Sequence, residues 1–248
     1  MPTIIGSKAD VGQIEEHIRE AQLNGLARGG DIAAAAEARL GSAIADIDAA
    51  AAARKAAVDE AARLRAALMA QDAKTDPGIA VIRDLMWNAL GRPRQSTHLD
   101  QVFPGGVKTY TGVDPRQKPL LMQVLKSRIL ACAAPALSPA VRAGWAADVE
   151  ALRVAHDKAV AALLPAEAAA HVTEVGYRMA ARAAQPRLRA FKQDLENLGL
   201  SKTHIFEIIP DATPATSGNA GKTNGNGDPP ARESTRTTGP MTDAGKAA

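Results

Sequence analysis

Two short sets of acid and imidazole side chains carry the residue types of metal chemistry. Glu167, His171 and Glu174 recur at i, i+4 and i+7, so a helix sets them on one face. Glu16, His17 and Glu20 make a similar short set. Di-iron helical bundles use Glu from two helices and Glu-x-x-His from two others. Here the order is His-x-x-Glu, and no further inward pair of Glu accompanies it. Both sets flank apolar stripes instead of lying on them. They are therefore expected to be surface ion pairs with nearby arginines, and no cofactor or metal is expected. A third residue type with reactive chemistry, His156, falls on an apolar stripe, where a histidine is expected to bond a backbone or side-chain oxygen. It is the first residue to test for proton transfer, because imidazole changes charge near neutrality. The lone Cys132 also lies on an apolar face and has no histidine partner in view, so it is expected in the core. No Ser-His-Asp arrangement can be assembled.

A second class of chemistry is phosphate binding. In "YRMAARAAQPRLRAFK", Arg178, Arg182, Arg189 and Lys192 project from one side of a continuous helix, with Arg187 pointing elsewhere. Such a stripe can grip a polyanion with an affinity that falls steeply with salt. Downstream, "LENLGLSKTHIFEIIPD" resembles the turn and second helix of a helix-turn-helix, with Gly199 at the turn, Ser201 as cap and Lys202 on the outward side. The first helix departs from that pattern, having Asp194 and Leu195 where an apolar and a small residue are usual. The expected role of 201–209 is a lid in which Ile205, Phe206 and Ile209 fold over a bundle end. "GNAGKT" at 218–223 lacks the strand and the first glycine of a phosphate-binding loop.

The elements that must position these residues read as helices. Hydrophobic residues make up 46% of the 248, but aromatics only 3%, so the core must be aliphatic and alanine-rich. Strand formers are scarce, and the expected fold is an all-α, elongated up-and-down bundle of about six helices, two of them long. Asp10 caps a first helix with Val11, Ile14, Ile18 and Ala21 on one face. Asp31 starts an alanine-rich segment to about Lys74, with Gly41 as its weak point and Leu40, Ile44, Ile47, Ala51, Val58, Ala61 and Leu68 as its stripe. Asp76 and Pro77 read as the start of a separate helix ending at Gly91, with Ile82, Leu85, Met86 and Ala89 as its apolar face. Residues 91–114 break the pattern with glycines, prolines and β-branched residues, and "VKTYT" could form a short strand. A helix with Met122, Leu125, Ile129 and Cys132 follows. Ser138 and Pro139 then start another, and Pro165 marks a turn or kink before a last helix. That helix carries Val172, Val175, Met179, Leu188, Phe191, Leu195 and Leu198, and Pro186 is expected to bend it.

The domain reading is an N-terminal arm at 1–9, one helical domain at 10–210 with the insertion loop 91–114, and a tail at 211–248. The tail is rich in Gly, Pro, Ser and Thr and is expected to be disordered. Two bundles divided by the loop are the alternative. Lys and Arg total 30 against 27 acids, a near balance that demands no polyanionic partner. One cysteine excludes an internal disulfide, and no apolar run approaches a membrane span, so a soluble cytoplasmic protein is expected. The leading functional reading is a non-catalytic helical scaffold for a protein partner, with self-association because alanine-rich rods complete their burial on another helix. Phe103, Tyr110, Lys108 and Arg94 of the loop are the expected contacts. Nucleic-acid binding through 178–192 and 201–209 comes second, and a metal-dependent bundle enzyme third.

Overall fold

A computed structural model describes residues 9–210; the arm up to residue 8 and the tail from 211 lie outside the described residues. The described chain is all α-helical, with no strand among the described residues. Its order is α1 (Val11–Arg28), α2 (Gly30–Ala36), a π-helical turn (Glu37–Gly41), α3 (Ser42–Ala89), α4 (Thr97–Val102), α5 (Lys108–Thr111), α6 (Lys118–Ala131), α7 (Pro139–Asn197) and α8 (Lys202–Ile208). No helix among them is long and apolar enough to cross a membrane.

Two rods organise everything else. With 48 and 59 residues, α3 and α7 are about 72 and 88 Å long at about 1.5 Å per residue. They run antiparallel, because early α3 packs on late α7 and late α3 on early α7. At one end α1, α2 and α8 complete a core of Ile14, Ile18, Leu40, Ile47, Leu188, Phe191, Leu195, Ile205, Ile208 and Ile209. At the other, α4, α5 and α6 complete a core of Ile79, Met86, Val102, Phe103, Tyr110, Met122, Leu125, Ile129 and Val149. Between them the rods pack on each other through Leu68, Val160 and Leu163, with Leu64 and Ala159 beside them.

Both rods pass through prolines that the sequence reads as breaks. Pro77 lies inside α3, not at the start of a new helix, and Pro165 and Pro186 lie inside α7. A proline leaves the carbonyl four residues back without its N–H. Here Pro77, Pro165 and Pro186 are all exposed, and so are the residues whose carbonyls they orphan, Ala73, Ala161 and Arg182. That side is open to solvent, while the buried side continues in phase. In α3, Leu68, Thr75 and Ile82 are buried at seven-residue spacing straight across Pro77. The weak point at Gly41 takes the form of the π turn, one residue wider than a regular turn.

Several finer expectations change. Gly29, not Asp31, caps α2, and Asp31 sits in its first turn. Ile79 replaces the exposed Leu85 and Ala89 on the inner face of α3, and Val58 is also exposed. Val172, Val175, Met179 and Leu198 are exposed, so the buried seam of α7 runs instead through His156, Val160, Leu163, Ala181, Ala184, Leu188, Phe191 and Leu195. Residues 91–114 fold into α4 and α5, and "VKTYT" is helical because Tyr110 must turn inward. The ends are well capped. Ser96, Ser138 and Ser201 each accept a backbone N–H of the next turn. Gly199, at φ 77°, ends α7 and lets the Leu200 N–H reach the Leu195 carbonyl at 3.3 Å.

Close packing at one glycine fixes α1. A Cβ on Gly25 would lie 2.8 Å from Ala36 Cβ and 2.9 Å from Phe191 Cζ. Gly25→Ala is therefore expected to destabilise by about 1–3 kcal/mol. Gly144→Ala, in α7 with nothing within 4 Å of the new methyl, is expected to stabilise by about 0.5–1 kcal/mol through helix propensity. Urea unfolding followed by circular dichroism measures both, and the two shifts should have opposite signs.

Candidate functional site

The sequence-nominated residues fall into three groups. Of the loop set, Phe103 and Tyr110 are 2% and 0% exposed, so they cannot serve as partner contacts. Their rings meet edge to face at 5.7 Å. The Tyr110 hydroxyl donates to the Val102 carbonyl at 2.7 Å and accepts from Arg128 at 2.9 Å. Two large rings in an aromatic-poor chain are worth more inside, where each removes a large apolar surface from water. Lys108 and Arg94 are exposed.

The basic stripe is partly neutralised. Arg178 pairs with Glu174 at 2.7 Å. Arg187 reaches Asp46 at 3.7 Å and bonds the Ser42 hydroxyl. Lys192 is half-buried, whereas Arg182 and Arg189 are exposed and make no ion pair among the described residues. In α8, Lys202, Thr203 and His204 face solvent, while Ile205 and Ile208 are buried against α1 and α7. Asn24 donates to the Ile208 carbonyl, and Arg28 meets Glu207 at 2.5 Å. The lid is thus held from both sides, although Phe206 is exposed and Ile208 takes the inward place expected of it.

Of the two acid and imidazole sets, the second departs from the surface pairs expected of it, with His17 buried while Glu16 and Glu20 are exposed; the acids of the first are ion pairs. Glu167 is held by Arg65 and Arg116, each at 2.7 Å, and Glu174 by Arg54 and Arg178. His171 stays exposed. Among the described residues no group of three or more His, Cys, Asp or Glu has metal-binding geometry. Beside Glu174 lies a cleft of about 580 Å³ lined by Asp10, Arg54, Tyr177, Arg178 and Arg182. The Tyr177 hydroxyl donates to Glu15 at 2.5 Å, with the Arg54 guanidinium 5.2 Å from its ring centre. That hydrogen bond to a carboxylate, with burial adding to it, pushes the phenol up to about 12.

His156 is fully buried, as its place on the stripe implies. One ring nitrogen lies 3.3 Å from the Thr75 hydroxyl and the other donates to the Pro115 carbonyl at 2.7 Å. Beside it is a group that no sequence motif marks. Lys118 is fully buried, hydrogen-bonded to Asp76 and 2.5 Å from Asp72, whose contact is an ion pair without hydrogen-bond geometry. The signal was present in its spacing, since Lys118 shares a stripe with Met122, Leu125 and Ile129. These ion pairs tie α6 to α3 in the turn just before Pro77, and the adjacent His156–Thr75 contact ties α7 to α3. Cys132 is buried too, and its carbonyl accepts from Arg142 at the end of α6.

Two predictions follow from these groups. Lys118→Met leaves the partly buried Asp72 and Asp76 without their cation and should cost about 1–3 kcal/mol, solvent screening at the 35% exposed Asp76 reducing the penalty of a fully buried charge. Adding Asp72→Asn and Asp76→Asn should recover part of that in the same urea titration. For Tyr177, the raised folded-state value means its contribution to stability is complete below the ordinary phenol range and is lost as pH climbs toward about 12. Ultraviolet titration of the folded chain should show late ionisation, and Glu15→Gln should bring Tyr177 back toward neutral-phenol behaviour. Compared with known protein families, curated proteins and solved structures, the chain finds no match.

Proposed function

We propose that this chain is a non-catalytic helical scaffold that presents helix faces to a protein partner. One observation carries the reading. The side of α7 opposite its buried seam is exposed and almost uncharged, with Val154 at 52%, Val172 at 67%, Val175 at 43% and Met179 at 66% exposure. Large apolar side chains gathered on one exposed face mark an interaction surface more often than they mark chance. The neighbouring acids do not compete for that face, because Glu167 and Glu174 turn aside to arginines. Lys108 and Arg94 remain as exposed contacts beyond it, at the far core.

A second reading, nucleic-acid binding, is favoured by the two exposed arginines that make no ion pair among the described residues, Arg182 and Arg189, with Lys202 as a further cation on α8. Against it, Arg178 and Arg187 already have acidic partners.

Two measurements separate these readings. A chain carrying Val172→Glu and Met179→Glu should keep its helicity yet lose the protein that the unaltered chain captures from host extract; equal capture by both removes the face from the account. A gel shift on short duplex DNA at low salt should show nothing. A salt-sensitive shift abolished by Arg182→Ala with Arg189→Ala would put the second reading first.

A further inference from the structure

We propose that the cleft beside Tyr177 is a binding site for a phosphate group, carried free or on a small organic molecule, and gripped by Arg54, Arg178 and Arg182. The site is separate from the outer face of α7 and stands apart from the scaffold reading.

The cationic side chains arrive from both rods. Arg54 comes from α3, and Glu174, Arg178 and Arg182 follow one another at i, i+4 and i+8 on α7. A helix sets such residues in one row, with neighbouring Cβ atoms about 5–6 Å apart. The start of α1 closes the third side. Its first turn is already capped by Asp10, which accepts from the Gly12 N–H at 2.9 Å, so it shapes the cleft more than it donates.

Glu174 acts as a bracket for two of the arginines. One carboxylate oxygen meets Nε of Arg54, and the other accepts from Nε of Arg178 at 2.7 Å. Each contact uses the inner nitrogen, whereas most of a guanidinium's N–H donors sit on its outer nitrogens. Arg54 is steadied further by the Tyr177 ring, 5.2 Å from its guanidinium carbon. Two of the three cations are thus placed before any ligand arrives, which spares it the cost of ordering them. The third, Arg182, is exposed and makes no ion pair among the described residues.

Charge and shape name the ligand class. Three guanidinium groups line the cleft against the two carboxylates of Glu174 and Asp10, an excess of one positive charge. Glu15 does not offset it, being shared between Arg19 and the Tyr177 hydroxyl. Residues 1–8, which lead into this wall, contain Lys8 and no acid. The excess favours an anion. A carboxylate is planar and offers two oxygens, but a tetrahedral phosphate dianion can give one oxygen to each arginine in the charge-assisted pairing that guanidinium groups favour. At about 580 Å³ the cleft has room beyond one phosphate and lies in the size range of small-molecule sites. Ala9 and Val11 supply an apolar margin for an organic part.

The test is isothermal titration calorimetry on the full chain with inorganic phosphate and phenyl phosphate as probes and acetate as the control. Both phosphates should bind, and acetate should not. Arg182→Gln should weaken both by about tenfold or more, the worth of a hydrogen bond to a charged group. Arg189→Gln, farther along α7 and outside the cleft lining, should leave both unchanged. Glu174→Gln should weaken binding although it adds positive charge, because both guanidinium groups lose the carboxylate that holds them. Circular dichroism should show equal helicity in every variant. Tighter binding of phenyl phosphate places an organic group on the apolar margin, whereas equal affinity assigns the site to the phosphate group alone. No binding of either phosphate at about 10 mM overturns the proposal. Acetate binding as tightly as phosphate does so too, as does equal loss in Arg182→Gln and Arg189→Gln, the behaviour of a diffuse basic surface. Tighter binding by Glu174→Gln overturns the bracketed site, since a site built on net charge alone responds that way.

Discussion

The rest of the structure depends on one constraint: α3 and α7 must bury a shared seam along their whole length. Neither rod has an apolar face broad enough to stand alone, and isolated helices gain their stability chiefly from such packing. The seam is aliphatic and rich in alanine, so the two backbones come close and the area per residue is small. It compensates by length. Everything else thickens the pair at its two ends, where α1, α2 and α8, or α4, α5 and α6, supply the bulk that alanines do not.

The seam also explains why three prolines are tolerated. Each costs the rod a hydrogen bond, a loss of about 3 kcal/mol or more where nothing compensates. Placing the proline and the residue with the orphaned carbonyl on the exposed side leaves that carbonyl within reach of solvent, which lowers the cost. The buried side keeps its phase, and ending the helix would forfeit the seven-residue repeat that carries burial from Leu68 to Ile82. Near Pro77 the junction is further fixed by Lys118 between Asp72 and Asp76. Such an ion cluster adds little net stability compared with a well-packed apolar core, but it tolerates no slip in register.

Much of this was legible in the residues. The helical class, the first helix, the caps at Asp10, Ser138 and Ser201, the core place of His156 and Cys132, and the arginine partners of Glu167 and Glu174 all followed from period and spacing. What misled was punctuation read locally. Asp76-Pro77 is a strong start signal in isolation, but local signals yield when a buried stripe runs through them. The phase of Leu68, Thr75 and Ile82 contained that information. Phe103 and Tyr110 misled for a different reason. A segment rich in glycine and proline reads as surface, yet its two rings are the largest side chains fully buried at that end. The outer face of α7 was misread because Val172, Val175 and Met179 were assigned to the inner stripe. The true seam lies half a turn away, and its alanines are too small to announce it.

The placement of the two ends has a consequence for how the chain is made. The core that holds α1 is completed by Leu188, Phe191, Leu195 and α8, so Ile14 and Ile18 emerge from the ribosome about 170 residues or more ahead of these neighbours, with only Ala36, Leu40 and Ile47 arriving early. The core around Tyr110 joins segments much closer in sequence and has less loop entropy to overcome. Folding should begin there and zip along the rods toward the chain termini. During that interval the greasy side of α1 is only partly covered, and this is the stretch a nascent-chain chaperone would meet first.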